Sequence, residues 1–297
     1  MVISKKPLTF EKAIVLVAIV VLAIGIYVWR LSVFASPENT FWGMVNSNLT
    51  TNGVTREITQ KNGTAELVQK MQLNLGARNY VHGKTIVAQD DEQNKIRVVT
   101  ESLTTKDQNF VRYTEVDAQR SGEQVRDFSG IVNKWALDEN ENSGQQNVFY
   151  EMVYSIVPFG NLNAQQRQEL NEFVRTNNVY DIDFANAKIE TNQGKSAYRY
   201  NVKINQVKYV ELLQKFDQMM NLNQLGGLNS ADYEGAQNVA LEVVVAIDSR
   251  QLLEVNFPAG QRKEKYFAYG ATSNLDVPEA VVPKSDLESG LQKLLAQ

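Results

Sequence analysis

The chain has no cysteine and a single histidine, His82, and these two scarcities exclude several kinds of site. Without cysteine the chain can form no disulfide, no thiolate metal site and no cysteine-linked lipid anchor. With one histidine it cannot complete the paired-histidine sites that commonly hold zinc. We therefore expect neither a metal ion nor another cofactor, and a fold that is stabilised by packing.

Familiar catalytic motifs are missing as well. The sequence has no phosphate-cradling glycine loop, no Gly-x-Ser-x-Gly elbow and no His-Glu-x-x-His pattern. Spacing alone leaves open a serine nucleophile paired with His82. Because the usual combinations of nucleophile, base and metal ligand are absent from the sequence, we predict that the protein is not an enzyme and has no catalytic residues.

The chain also lacks a net positive charge outside its first 30 residues. The whole chain carries a formal charge of −4 and residues 1–30 carry +3, which leaves −7 for the rest. Phosphate backbones attract basic surfaces. The acidic remainder therefore argues against a nucleic-acid partner.

What the sequence does have is one long apolar run, AIVLVAIVVLAIGIYVW, from Ala13 to Trp29. A helix of this length reaches roughly 25 Å, and the apolar residues that follow extend it across a ~30 Å hydrocarbon core. Residues 13–34 are therefore predicted to form a transmembrane anchor. Secretory signal peptides have shorter apolar regions, but Val33 and Ala35 resemble a cleavage site, so cleavage after Ala35 is the alternative.

Basic residues beside the run predict its orientation. Lys5, Lys6 and Lys12 precede it, whereas Arg30 stands alone after it. Cytoplasmic flanks carry the excess of lysine and arginine. We expect residues 1–12 to be a short cytoplasmic segment and residues 36–297 to form a single extracytoplasmic domain at the cell membrane.

Two periodicities alternate along this domain. Helical spacing predicts helices at 37–49, 148–157, 163–176, 208–222 and 285–295. Polar and apolar alternation predicts strands at 54–60, 67–75, 80–89, 95–103, 109–116, 179–189, 197–205, 239–247, 251–257 and 263–269. Long series of strands favour an α+β fold, in which a curved antiparallel half-barrel sheet holds helices on its concave face.

Three stretches resemble a known family, the periplasmic lipoprotein carrier LolA with the related mycobacterial lipoproteins LppX and LprG. NFVRYTEVDA with the later NKWALDE is similar to a family strand that precedes a tryptophan, and AYRYNVKINQVKYVELLQKF to a strand leading into an amphipathic helix. VVVAIDSRQLLEVNF with KYFAYGATSNLDVPEAV is similar to the family's closing strands.

The resemblance covers about residues 38–283. It implies an apolar cavity, used by family members to carry lipids or acyl chains. The chain departs from the lipoprotein members by lacking an acylated cysteine, and from soluble LolA by its predicted anchor.

The apolar faces of the predicted elements supply candidate residues for a cavity wall. Apolar residues at these periods more often form a plain core, which is the leading interpretation, and the lining of a ligand cavity is the alternative. The candidates are Met71, Leu73, Leu75, Val148, Phe149, Met152, Val153, Ile156, Val157, Tyr198, Tyr200, Val202, Ile204, Phe216, Met219 and Met220.

Two polar groupings have simpler interpretations. His82 lies near the acidic run at 90–92, which suggests a metal or acid-base site, but a solvated hairpin with a surface histidine explains it better. Asp181 and Asp183 are predicted to share one face of a strand, where like charges need no catalytic role.

The sequence therefore predicts a non-catalytic membrane-anchored protein that binds a lipid or another apolar ligand between sheet and helices. The alternative is a cell-surface module of the same fold that binds a protein partner in the envelope, as a sensor or regulator without lipid cargo.

Overall fold

The computed structural model describes residues 21–22, 35–76, 78–91, 94–120, 126–138, 148–272 and 277–296. The predicted cytoplasmic segment 1–12 lies outside these residues, and so does the predicted anchor at 13–34 except for Val21 and Leu22, which are helical. Within the described ranges, no helix combines the length and the apolar character needed to cross a membrane.

Strands account for most of the regular structure. In chain order they are β1 (Gly53–Asn62), β2 (Ala65–Leu75), β3 (Asn79–Asp90), β4 (Asn94–Thr105), β5 (Asn109–Arg120), β6 (Ala136–Leu137), β7 (Tyr180–Ile182), β8 (Lys188–Asn192), β9 (Lys195–Ile204), β10 (Val239–Ala246), β11 (Leu252–Phe257), β12 (Arg262–Phe267) and β13 (Val282–Pro283). The helices are α1 (Pro37–Asn48), α2 (Val148–Val153), α3 (Ala164–Thr176), α4 (Gln206–Met219) and α5 (Lys284–Ala296). All five strands predicted in the first half are confirmed, with small differences at their ends.

The thirteen strands form one open, curved sheet, in the order β13-β6-β5-β4-β3-β2-β1-β12-β11-β10-β9-β7, with β8 also paired to β9. All the pairings are antiparallel except that of β6 with β13. Two series of consecutive strands, β1–β5 and β9–β12, meet where β1 pairs with β12. The predicted α+β class with a large antiparallel sheet is confirmed.

One face of the sheet carries the core, and we call it the inner face. It is the face of Val54, Met71, Tyr200 and Val243, all of which are buried. Residues of α1, α2, α3 and α4 join this same core, so these helices cover the inner face of β1, β2 and β9–β12. The opposite face is the outer face.

A second helical cover lies further along the inner face. Met71, Gly83, Ser102 and Val111 are successive partners across β2 to β5 and therefore share a face. Leu287 of α5 belongs to the cluster that Val111 contacts. Helix α5 consequently packs on the inner face near β5 and β6.

Two predicted elements are wrong in their extent. The predicted strand at 179–189 is broken into β7 and β8, because Asp183 accepts hydrogen bonds from the backbone and side chain of Asn186 and turns the chain. The predicted helix at 148–157 ends at Val153, where the Val153 carbonyl accepts a hydrogen bond from the Phe159 amide, 3.1 Å away, and the chain folds back. The short pair β6 and β13 was not predicted.

Candidate functional site

A cleft of about 430 Å³ opens at the junction between the inner face and its helical cover, and we call it the Arg56 cleft. Its residues come from β1, β12, α2 and the chain after it, the first turn of α4, the start of β10, the end of β11 and the turn between β11 and β12. They are Arg56, Gln60, Glu151, Tyr154, Ser155, Ile156, Tyr209, Val239, Ala240, Phe257, Ala259, Gly260, Arg262 and Glu264.

Arg56 reaches the base of the cleft because the alternation of β1 turns it inward. Val54, Arg56 and Ile58 occupy one face of the strand, and Arg56 lies between Tyr266 of β12 and Met71 of β2. Its side chain is 2% exposed. A guanidinium so deeply buried is stable only with compensating partners.

Glu151 and Glu264 supply that compensation. One terminal nitrogen of Arg56 donates to Glu151 Oε1 at 2.7 Å, and the other lies 3.8 Å from Glu264 Oε2. The second nitrogen also donates to the Glu151 carbonyl at 3.4 Å. Arg56 Nε is buried and has no hydrogen-bond partner among the described residues. The guanidinium therefore retains one unused donor.

Arg262 completes a balanced charge cluster. Its Nε donates to Glu264 Oε1 at 2.8 Å, and one of its terminal nitrogens lies 3.5 Å from Glu151 Oε1. Glu264 also accepts a hydrogen bond from the Tyr266 hydroxyl, which lies 2.9 Å from Ser155 Oγ. Two arginines thus face two glutamates around the cleft, with no net charge.

The surroundings keep the aromatic hydroxyls neutral. Burial, with the charge of Glu264 adding to it, raises the pKa of both Tyr209 and Tyr266 well above the ordinary tyrosine value. For Arg56, burial lowers the pKa, but Tyr266, Glu264 and Glu151 together raise it by more. At neutral pH the cleft therefore presents charged arginine beside uncharged phenols.

An apolar wall flanks this polar base. Ile156, Val239 and Phe257 line the cleft, and the Arg262 guanidinium lies 5.7 Å from the centre of the Phe257 ring. Val239 is 39% exposed, which places it at the solvent side. A polar base with an apolar wall suits a molecule that has one polar end and one apolar part.

The sixteen residues predicted from the sequence as a cavity wall are brought together in one core cluster of the inner face. Val148, Ile156, Tyr198, Met219 and Met220 are partly buried and pack against it, and the other members are buried. Ile156 is the member that lines the Arg56 cleft. That the other members line a ligand cavity stays a prediction, and a plain core is the other interpretation of their burial.

Two of these residues form hydrogen bonds with the chain at the start of α1. The Tyr198 hydroxyl donates to the Ala35 carbonyl at 3.0 Å, and the Tyr200 hydroxyl donates to the Pro37 carbonyl at 2.8 Å. Ser36 caps α1 by accepting a hydrogen bond from the Asn39 amide. The chain that follows the apolar run is therefore held directly on β9.

His82 lies in the middle of β3, which forms antiparallel hairpins with β2 and β4, and its side chain is 31% exposed. Its Nε2 lies 2.7 Å from Glu101, which also accepts a hydrogen bond from Arg112 at 2.7 Å. These residues occupy the outer face, where Arg112 lies over the ring of Trp135.

Asp183 lies beyond the end of β7, so it does not share a strand face with Asp181. In the described part of the chain, no group of three or more acidic residues, histidines or cysteines could hold a metal.

Reasoning from the sequence missed the charges of the cleft. One signal was present, since Arg56 interrupts the apolar positions Val54 and Ile58 of an alternating strand. The alternating pattern of a strand does not show which residue pairs with Arg56. Glu151 comes from a helix 95 residues away in sequence.

Comparison with solved structures finds chains with a similar layout. No family model and no curated protein matches the chain. The crystal structure of LprF from Mycobacterium bovis is similar, at 10% sequence identity and a TM-score of 0.39, covering 82% of this chain and 96% of that one. The family resemblance drawn from the sequence is confirmed as a likeness of layout.

Proposed function

We propose that this protein is a non-catalytic, membrane-anchored extracytoplasmic protein that binds a lipid or a similar amphiphile in the Arg56 cleft. The observation that carries the proposal is a buried arginine with an unused donor beside an apolar wall. The ligand's apolar part would lie on Ile156, Val239 and Phe257, and burial of that part would drive binding.

The predicted anchor supports a location at the membrane surface. The apolar run ends close to Ala35 and Pro37, whose carbonyls are hydrogen-bonded to β9. If residues 13–34 span a membrane, almost no linker separates the span from the domain. The cleft would then stay near the lipid surface, which suits local uptake or presentation of an amphiphile rather than transport across the envelope.

Photo-crosslinking tests the proposal on the full chain. The protein is placed in nanodiscs of a zwitterionic phospholipid, a diazirine-bearing C16 amphiphile is added, and labelled peptides are mapped. We expect labels on peptides around Ile156 and Val239. We also expect Val239→Asp to weaken labelling roughly tenfold, because a charge would then oppose burial of the alkyl chain.

Val281→Asp is the matched control, because Val281 is also 39% exposed and does not line the cleft. It should leave the labelling unchanged. Equal effects of the two substitutions, or labels scattered over the surface, would count against the cleft. A chain that takes up no amphiphile at all would favour the alternative, a protein-binding module of the same fold.

A further inference from the structure

We propose that the Arg56 cleft selects an amphiphile with an anionic head group, a carboxylate or a phosphate, and that the Glu151 carboxylate occupies the position which that head group takes. The inference rests on the proposed function and adds the chemistry of the polar end. It follows from how Glu151 is bound.

Glu151 bridges the two arginines through one oxygen. Its Oε1 lies 2.7 Å from Arg56 and 3.5 Å from Arg262, so a single acceptor serves two guanidinium groups. Arginine prefers acceptors that offer two oxygens in a plane, as a carboxylate or phosphate does. A head group with two oxygens between these arginines would use them more fully than Glu151 does.

The two carboxylates of the cleft differ in their freedom to leave. The Glu264 side chain is 3% exposed and is also bonded by Tyr266 and Arg262, whereas the Glu151 side chain is 26% exposed. Glu151 lies on α2, a helix of six residues. Its side chain can therefore rotate towards water, while Glu264 stays with the arginines.

Charge balance determines the sign of the charge on the ligand's head group. If Glu151 turned away without replacement, two guanidinium groups would face one carboxylate in a largely buried site, which is unfavourable. An anionic head group restores the balance, whereas a neutral head group does not. The cleft therefore accepts an exchange in which an anionic head group takes the place of the Glu151 carboxylate.

The experiment compares three diazirine-bearing C16 probes on the full chain in the same nanodiscs: a carboxylic acid, the matched monoalkyl phosphate and the matched neutral alcohol. The measured quantity is the probe concentration that gives half-maximal labelling of the cleft peptides. Glu151→Gln should lower it about tenfold for the acid and the phosphate, since the competing charge is gone, and leave the alcohol unchanged. Arg262→Gln should raise it about tenfold for the two anions alone.

Glu66→Gln is the control, because Glu66 is an exposed carboxylate of β2 outside the cleft. The anion with the larger response to Glu151→Gln distinguishes a phosphate-bearing lipid from a fatty acid. An alcohol that labels the cleft while Glu151→Gln changes nothing, or changes all three probes equally, overturns the head-group inference and leaves the proposed function standing. Failure of all three probes overturns the proposed function itself.

Discussion

The Arg56 guanidinium donates a 2.7 Å hydrogen bond to the Glu151 carboxylate, and this contact ties the middle of β1 to α2. The arginine is buried in the core of the inner face, whereas the glutamate reaches the solvent side of the cleft. The pair therefore links the stability of the sheet to the polar end of the candidate site.

Replacing Arg56 should be costly. Arg56→Met leaves the buried Glu264 and the adjoining Glu151 with less compensation, and removing one partner of a buried pair costs about 3–5 kcal/mol. We expect the free energy of unfolding, measured by urea denaturation, to fall by roughly that amount. Arg97→Met is the matched control, because Arg97 pairs with Glu115 on the surface, where an ion pair contributes about 1 kcal/mol or less. Equal losses in the two variants would show that burial does not distinguish the pairs.

Gly53 is expected to tolerate no side chain. A Cβ at this position would lie 2.4 Å from the Ala271 carbonyl oxygen, and the Gly53 carbonyl itself accepts a hydrogen bond from the Gly270 amide. Because backbone atoms cannot simply rotate away, Gly53→Ala should lower the free energy of unfolding by about 1–3 kcal/mol. Gly227→Ala, where no atom lies within 4 Å of the added carbon, should change it far less. The prediction fails if urea denaturation gives both variants the same stability.

Glu101 should make the outer face sensitive to acid. Partial burial raises its pKa, but hydrogen bonds from His82 and Arg112 lower it by more, so the pKa in the folded chain lies below the ordinary value of 4.5. A lowered carboxyl pKa contributes stability that is fully present above the unfolded value and is lost as the pH falls through the folded value. Wild-type protein should therefore lose its advantage over Glu101→Gln as the pH falls from 6 to 3.

Melting temperatures of the two proteins across that pH range provide the measurement. Glu115→Gln is the control, since its carboxylate is half-exposed and bonded to Arg97 alone in the described part of the chain. A difference between wild type and Glu101→Gln that stays constant from pH 6 to pH 3 would contradict the assignment.

The strands were predictable because their cause is local. In β2, Met71, Leu73 and Leu75 alternate with polar residues, and the structure buries all three on the inner face. The break between β7 and β8 was not predicted, because it depends on a side chain of Asp183 that bonds Asn186 three residues later. Alternation continues across such a turn and conceals it.

The candidate site was likewise predictable only in part. Ile156 was predicted as part of an apolar wall from its place on a helical stripe; the helix ends at Val153, Ile156 lies beside the Arg56 cleft, and its contact with a ligand stays a prediction. Arg56, Glu151 and Arg262 were not predicted, because each resembles an ordinary surface residue until its partners are known. His82 was placed beside the acidic run at 90–92, yet its partner is Glu101 on the neighbouring strand.

From the sequence we could predict the α+β class, most strands and helices and the inward-facing apolar residues, and we could expect an anchor with an acidic domain beyond it. These features depend on periodicity and composition, which operate over a few residues at a time. The tertiary structure alone decided that β1 pairs with β12, that α5 covers the β5 end of the inner face, and that four charged residues meet around one cleft. Such meetings bring together residues some 100 to 200 positions apart, and what selects them is the pairing of buried charge and the packing of the whole sheet.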